Sequence, residues 1–261
     1  MIHFLLFTLF FSQCVFARVL PNRTPDQDLR NFSSDRPGST NTPSTIDPGH
    51  YQFEIEAFNF SQNQDSSTQL VYPNVRVRIG VLETFEIALS YATYLQQWSQ
   101  GQTLQGGGDS TFSLKSNLYG DGKDNFALAL MFTGKIPTDR SGVGNSYWDP
   151  SLMVPIVVKV KKWEASLMPE IDLRKNNSDD KSHVEFNAPF SFAWDITSNS
   201  DLYAEWVVHI SQGQNKTTSS YFGIGGAWKV AASTQIDLGC NLGQDTLSPR
   251  YNPFLGISQR F

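Results

Sequence analysis

Two cysteines in 261 residues are too few to frame a disulfide-stapled fold. Twenty Lys and Arg against 25 Asp and Glu leave a net charge of only −5. That lacks the basic excess that releases counterions from phosphates, so no nucleic-acid partner is expected. Beyond residue 17 nothing approaches the roughly 18 continuous apolar residues of a helical membrane span. Histidine is scarce, at four, and no two stand at metal-ligand spacing, so no metal is expected. No cofactor is implied either: Gly223-Ile224-Gly225-Gly226 does not join a strand to a helix as a dinucleotide loop does. Charge itself is thin, 17% of residues against the ~25% of ordinary soluble domains. What the chain has instead is aromatic content, 13% with 19 Phe, at a mean hydropathy of −0.31. That is too polar for a helical membrane protein and too poor in charge for an ordinary soluble enzyme.

The first residues carry an apolar stretch from Phe4 to Phe11, then Val15-Phe16-Ala17 before Arg18. Small residues at that spacing predict a secretory signal peptide over 1–17, too short to span a bilayer and lacking a basic residue ahead of its apolar core. Cys14 would leave with it, since Ser12-Gln13 is a poor lipoprotein context, and Cys240 would remain alone as a small apolar filler. Residues 18–48 are rich in Pro, Ser, Thr, Asn and Asp and cannot bury a core of their own. Asn22, Asn31, Asn59, Asn176 and Asn215 each begin an Asn-x-Ser/Thr triplet, which an Asn- and Ser-rich chain produces by accident.

From residue 49 to the end the chain alternates with the strand period of two. Val75, Val77, Ile79 and Val81 share one face, and Arg76, Arg78 and Gly80 the other. Phe85, Ile87, Leu89 and Tyr91 oppose Glu86, Ala88, Ser90 and Ala92. Phe186, Phe190, Phe192 and Trp194 oppose Glu185, Asn187 and Ser191. The pattern predicts about twelve strands of ~10 residues, as long as tilted bilayer crossings need to be. Long polar gaps at 61–70, 97–108, 137–147, 174–183, 211–220 and 243–251 alternate with shorter ones at 82–84, 119–124, 161–162, 195–201 and 230–233. Together these predict an all-β, transmembrane, antiparallel up-and-down barrel with both termini on the short-turn, periplasmic side. A twelve-stranded barrel is too wide for an apolar core, so the apolar face should turn to lipid. A two-sheet sandwich is the structural alternative. Tyr72, Tyr94, Trp98, Trp148, Trp163, Trp194, Tyr221 and Phe261 lie near strand ends, where interfacial girdles require aromatics. Phe261 also ends an alternating last strand, as in the assembly signal that the barrel-assembly machinery reads, although Gln259 departs from the usual hydrophobic residue.

Asp35-Arg36-Pro37, then Ser39-Thr40-Asn41-Thr42-Pro43 and Asp47-Pro48-Gly49-His50-Tyr51-Gln52-Phe53-Glu54, resembles a recurrent N-terminal block. It belongs to the outer-membrane transporter family of the meta-pathway of phenol degradation. Val75 to Val81 with Glu83-Thr84-Phe85-Glu86, Gly106-Gly107-Gly108-Asp109, Lys135-Ile136-Pro137-Thr138 and Asp149-Pro150-Ser151-Leu152 are similar to its later blocks. The resemblance runs from about Ser34 to Phe261 and implies a bacterial outer-membrane barrel, in contact with lipid, that carries small solutes, aromatic ones among them. Asp35, Arg36 and Pro37 could begin a lumen plug or a periplasmic tail.

The inward phase carries Glu54, Glu56, Arg76, Arg78, Glu86, Lys115, Glu164, Glu170, Asp172, Glu185, Glu205 and Arg260. Charges are costly in hydrocarbon and belong in a watery or plugged lumen. Most are expected to pair with one another, with Arg76 and Arg78 the best placed to face an anionic or phenolate solute. His209-Ile210-Ser211-Gln212-Gly213 is similar to the His-x-Ser-Asn-Gly motif of outer-membrane phospholipase A. That makes a hydrolase, or a structural barrel with a plugged lumen, the alternative reading and a soluble secreted binding protein the third, with no catalytic residue assigned.

Overall fold

A computed structural model describes residues 23–120, 124–144, 147–175, 181–213 and 216–261. The expected signal peptide with Cys14, and Asn22, Asn176 and Asn215, lie outside the described residues. The chain closes into one antiparallel sheet of twelve crossings. These are β1 (Tyr51–Gln62), β2 (Thr68–Val71 and Asn74–Leu82), β3 (Phe85–Ala92 and Leu95–Ser99), β4 (Gln102–Gly106 and Ser110–Tyr119), β5 (Phe126–Ile136), β6 (Asp149–Met153 and Ile156–Val160), β7 (Trp163–Leu167 and Glu170–Lys175), β8 (Ser182–Asp195), β9 (Ser200–Ser211), β10 (Thr217–Ala231), β11 (Thr234–Gly243) and β12 (Asn252–Arg260). Each pairs with its sequence neighbours, and β12 returns to β1 in the register Gln52↔Arg260 through Asn59↔Phe254. Closure removes both sheet edges. Three of the five broken crossings break at Pro73, Pro155 or Pro169, where the missing N–H interrupts the ladder.

One end of the barrel carries the short turns 83–84, 161–162, 196–199 and 232–233 and the strand ends that flank 120–125, and the first and last strands begin and finish there. The strand ends that flank 137–148, 176–181, 212–216 and 244–251 lie at the other end. The expected loop at 97–108 is instead an arm in which β3 and β4 stay paired up to a two-residue turn. Gln100 and Gly101 turn it with φ of 50° and 77°, the positive angles that a tight hairpin turn demands. The first gap likewise shrinks to 63–67. Both corrections have one cause: strand that leaves the bilayer loses its apolar face, and with it the period that marked it as strand.

Burial is inverted relative to a soluble protein. Trp206 and Trp228 are 58% exposed and Leu238 61%, while Arg78, Lys115, Asp172 and Asp237 are fully buried. The apolar face turns outward all round, so hydrocarbon is the solvent that makes this arrangement favourable. Trp163 stacks between Phe192 and Trp194 at the short-turn end. Tyr72 with Tyr94, and Phe112 with Trp148, pack toward the other. Phe261 stacks on Tyr51 at 5.3 Å. Tyr221 and Trp98 depart from the expected girdle: the Tyr221 hydroxyl meets Ser39 inside the barrel at 2.7 Å, and Trp98 lies on the β3–β4 arm. Cys240 follows Ile236 and Leu238 on the outer face of β11 and is half-buried.

Candidate functional site: a segment threaded through the lumen

Residues 23–48 have too few apolar side chains to fold alone, and every polar group they carry inward must find a partner. The barrel wall supplies them from all twelve strands. Ser34 and the Asp35 N–H donate to Glu54 of β1, and the Ile46 N–H donates to Glu86 of β3. Arg76 and Arg78 of β2 and Lys115 of β4 reach Asp35. The Asn41 amide approaches Met131 of β5, Met153 of β6 and Met168 in the break of β7 at 3.5–4.0 Å. Thr40 meets Ser191 of β8, and Ser39 meets Glu205 of β9 and Tyr221 of β10. Arg36 pairs with Asp237 of β11, and Ser34 and the Arg30 carbonyl bond Ser258 and Arg260 of β12.

The heart of this arrangement is a sealed ionic cluster. Arg78 binds Glu86 at 2.8 Å, Glu54 at 3.0 Å and the Ser44 carbonyl at 3.0 Å. Lys115 Nζ lies 2.9 Å from Asp35 and 3.3 Å from Glu86. Burial pushes the Asp35 carboxyl up, but Arg78, Lys115 and Arg76 outweigh it and hold the group well below the usual carboxylate range. Burial likewise opposes the charge on Arg36, and its pairs with Asp237 and Glu56 raise it above its ordinary value. Arg30 and Arg260 both grip Asp47 where the segment leaves the lumen.

The inward charges therefore divide into groups. Glu54, Arg76, Arg78, Glu86 and Lys115 converge on Asp35, and Glu56 joins Arg36. Arg78 is wholly buried and so is not free to meet an anionic solute as the sequence pattern suggested, while Arg76, 3.1 Å from Asp35, stays on the cavity wall with its Nε and Nη2 lacking a hydrogen-bond partner among the described residues. Asp172 and Glu185 belong to a second network on the wall from β4 to β9, toward the long loops. There Lys135 pairs with Asp109 and Asp149, and Arg174 pairs with Asp149, Asp172 and Glu185. Glu164 stands apart, paired with Lys159 at the short-turn end, and Glu170 lies two residues before Asp172 on β7. Ser211 donates its proton to Glu185 at 2.9 Å, and His209 meets the other oxygen of the same carboxylate. Ser211 bonds the carboxylate and not the imidazole, so the serine–histidine contact of a hydrolase triad is not formed, which counts against the hydrolase reading. Among the described residues no group of His, Cys, Asp and Glu is arranged to hold a metal. Asp237, Asn41 and the three methionines carry no sequence signal of their own: thioethers read as apolar, and a lone Asp reads as any inward residue.

Two cavities flank the threaded segment among the described residues. The one toward the short turns holds about 740 Å³, with Lys159, Glu164, Asp201 and Lys229 on its wall. The one toward the long loops holds about 350 Å³, with Asn59, Asn74, Asn241 and Asn252 on its wall. Arg36, Pro37, Gly38 and Asn41 border both.

Among solved structures, the NanC porin superposes with a TM-score of 0.58 at 8% identity, over 79% of this chain and 98% of its own. The translocator domain of the autotransporter NalP from Neisseria meningitidis gives 0.50 at 11%, over 81% and 88%. The KdgM porin, solved in complex with disordered oligogalacturonate, gives 0.50 at 6%, over 81% and 99%. At these identities the likeness establishes a porin-like barrel fold. No curated protein sequence matches the chain. A sequence model matches residues 34–261, and with it the chain belongs to the family described as "Putative MetA-pathway of phenol degradation".

Proposed function

We propose that the protein is an outer-membrane transporter of the porin type, exported through its signal peptide, that admits small solutes through a lumen gated by residues 23–48. The observation that carries this reading is the threaded segment. It is bonded to every strand, yet it leaves a cavity on either side and only residues 36–41 between them. A barrel built only for structure has no use for two polar vestibules separated by one turn of chain. The short-turn end, with both strand termini, faces the periplasm in this reading, and Phe261 is the residue the assembly machinery recognises. The family description and the oligogalacturonate of the KdgM porin support organic solutes as cargo, aromatic ones included. Planar-bilayer conductance is the test. The full chain should give small, flickering steps, and a variant lacking residues 23–48 should give steps several-fold larger. A heat-shifted, correctly folded barrel that stays silent in both forms would leave a structural barrel as the function.

A further inference from the structure

On the side lined by Glu205 and Asn241, the cavity toward the long loops presents acceptors that lack donors. Four side chains fix its character. The Asn59 amide donates to Glu56 at 3.0 Å, Asn252 donates to Asn59 at 2.7 Å and to the Phe60 carbonyl at 2.8 Å, and Asn241 donates to Asn252 at 3.1 Å. The direction of this relay is forced. A carboxylate and a backbone carbonyl can only accept, so Asn59 and Asn252 must present their NH₂ groups to them. Asn252 then offers its oxygen to Asn241, which must answer with its own NH₂. The Asn241 Oδ1 is left at the free end, buried and without a partner among the described residues.

Beside that oxygen stands Glu205, 2% exposed. It accepts the Ser39 N–H at 2.7 Å and the Ser39 hydroxyl at 3.1 Å, and no cationic side chain among the described residues pairs with it. Of the cationic groups on the cavity wall, Arg36 pairs with Asp237 and Glu56, and Arg76 pairs with Asp35 while its Nε and Nη2 keep no hydrogen-bond partner among the described residues. Gly223 on β10 keeps the two acceptors together. A Cβ built there would come within 2.6 Å of Asn241 Oδ1 and 2.8 Å of a Glu205 carboxylate oxygen. A buried carboxylate without a cation and an orphaned amide oxygen, side by side on a glycine floor, are costly unless a donor arrives.

We infer that this cavity is a binding site for a small organic monocation, its ammonium or amidinium head donating to Glu205 and the Asn241 oxygen. The inference deepens the transporter reading by assigning a charge class to the solute, opposite in sign to the phenolate that Arg76 and Arg78 suggested. Phe254 on the same wall gives an apolar or aromatic body a surface to lie against.

The test uses three probes that share a ring and differ in head group, benzylammonium, benzyl alcohol and benzoate, titrated calorimetrically into the detergent-folded full chain. Benzylammonium should bind saturably at one site, benzyl alcohol at least tenfold more weakly, and benzoate not measurably. Glu205→Gln should weaken benzylammonium by about ten- to a hundredfold, as loss of a charge-assisted hydrogen bond does, and Asn241→Leu should weaken it by less. Heat-shifted mobility reports folding of each variant, and the probe comparison on the unmodified chain decides the matter even if neither variant folds. Benzoate binding as tightly as benzylammonium, equal binding of all three, or an unchanged affinity in folded Glu205→Gln would each overturn the site. Binding in detergent needs no conduction, so a chain that binds the cation but never conducts keeps the site and loses the transporter reading. A chain that conducts without preferring the cation does the reverse.

Discussion

A carboxyl group shut away from water ordinarily titrates upward, and Asp35 does the opposite because Arg78, Lys115 and Arg76 surround it. Its folded value lies below the ordinary 3.8. The stabilisation it lends is therefore complete above the unfolded value and lost only as pH falls through the lower folded one. Acidification from pH 7 to about 4.5 should leave the segment seated as far as Asp35 is concerned, which limited proteolysis across that range can check. Removing the carboxylate at neutral pH is another matter. Asp35→Asn leaves Arg76, Arg78 and Lys115 facing Glu54 and Glu86 alone. Breaking a buried pair of this kind costs about 3–5 kcal/mol, charged here against the threaded segment, since the strands keep their ladder. The expected result is an intact heat-shifted barrel whose residues 23–48 become protease-sensitive and whose conductance rises. An unchanged proteolysis pattern would mean that the other wall contacts suffice. At this scale the sequence was partly legible. Alternation placed Glu54, Arg78, Glu86 and Lys115 on one phase, but no periodicity could say that Asp35, from an irregular segment, would join them. Tyr221 shows the opposite failure, an aromatic read as a girdle residue because the ring suits an interface, when its hydroxyl is the part that is used.

Among the elements, the β3–β4 arm separates what folds the barrel from what decorates it. Leu95–Ser99 pairs with Gln102–Gly106 on one side and with Thr68–Val71 on the other, beyond the level of the Tyr72 and Tyr94 rings. Gln96, Gln97, Gln102 and Gln105 give this stretch no apolar face, so it draws nothing from lipid. Replacing residues 96–105 with a two-residue turn should therefore leave the heat-shifted mobility intact and lower Tm by only a few degrees, since Thr68–Val71 keeps its pairing to β1. Aggregation of the shortened chain on refolding would show that the arm guides closure. The crossings themselves were easy to read because lipid on one side and polar groups on the other impose the strand period. The arm was read as loop because that constraint ends where the bilayer does. The threaded segment was the least legible element, since a plug and a tail of the same polar composition differ only in what surrounds them.

For the molecule as a whole, one question separates a membrane barrel from a soluble barrel of the same strands: what solvates the outer face. Adjacent residues of β11 pose it directly. Leu238 is 61% exposed at the middle of the strand, and Asp237 beside it is fully buried against Arg36. If hydrocarbon surrounds the barrel, Leu238→Arg should cost about 2–4 kcal/mol in reversible refolding into bilayers, and the same change at Leu242, nearer the strand end, about 0–1 kcal/mol. The gradient is the informative part. Water on the outer face would make both substitutions nearly neutral, and a second sheet packed on that face would make both severe whatever their depth. A cost that falls with distance from the strand centre is the signature of a bilayer alone, because only there does the medium itself change from apolar to polar over the length of one strand.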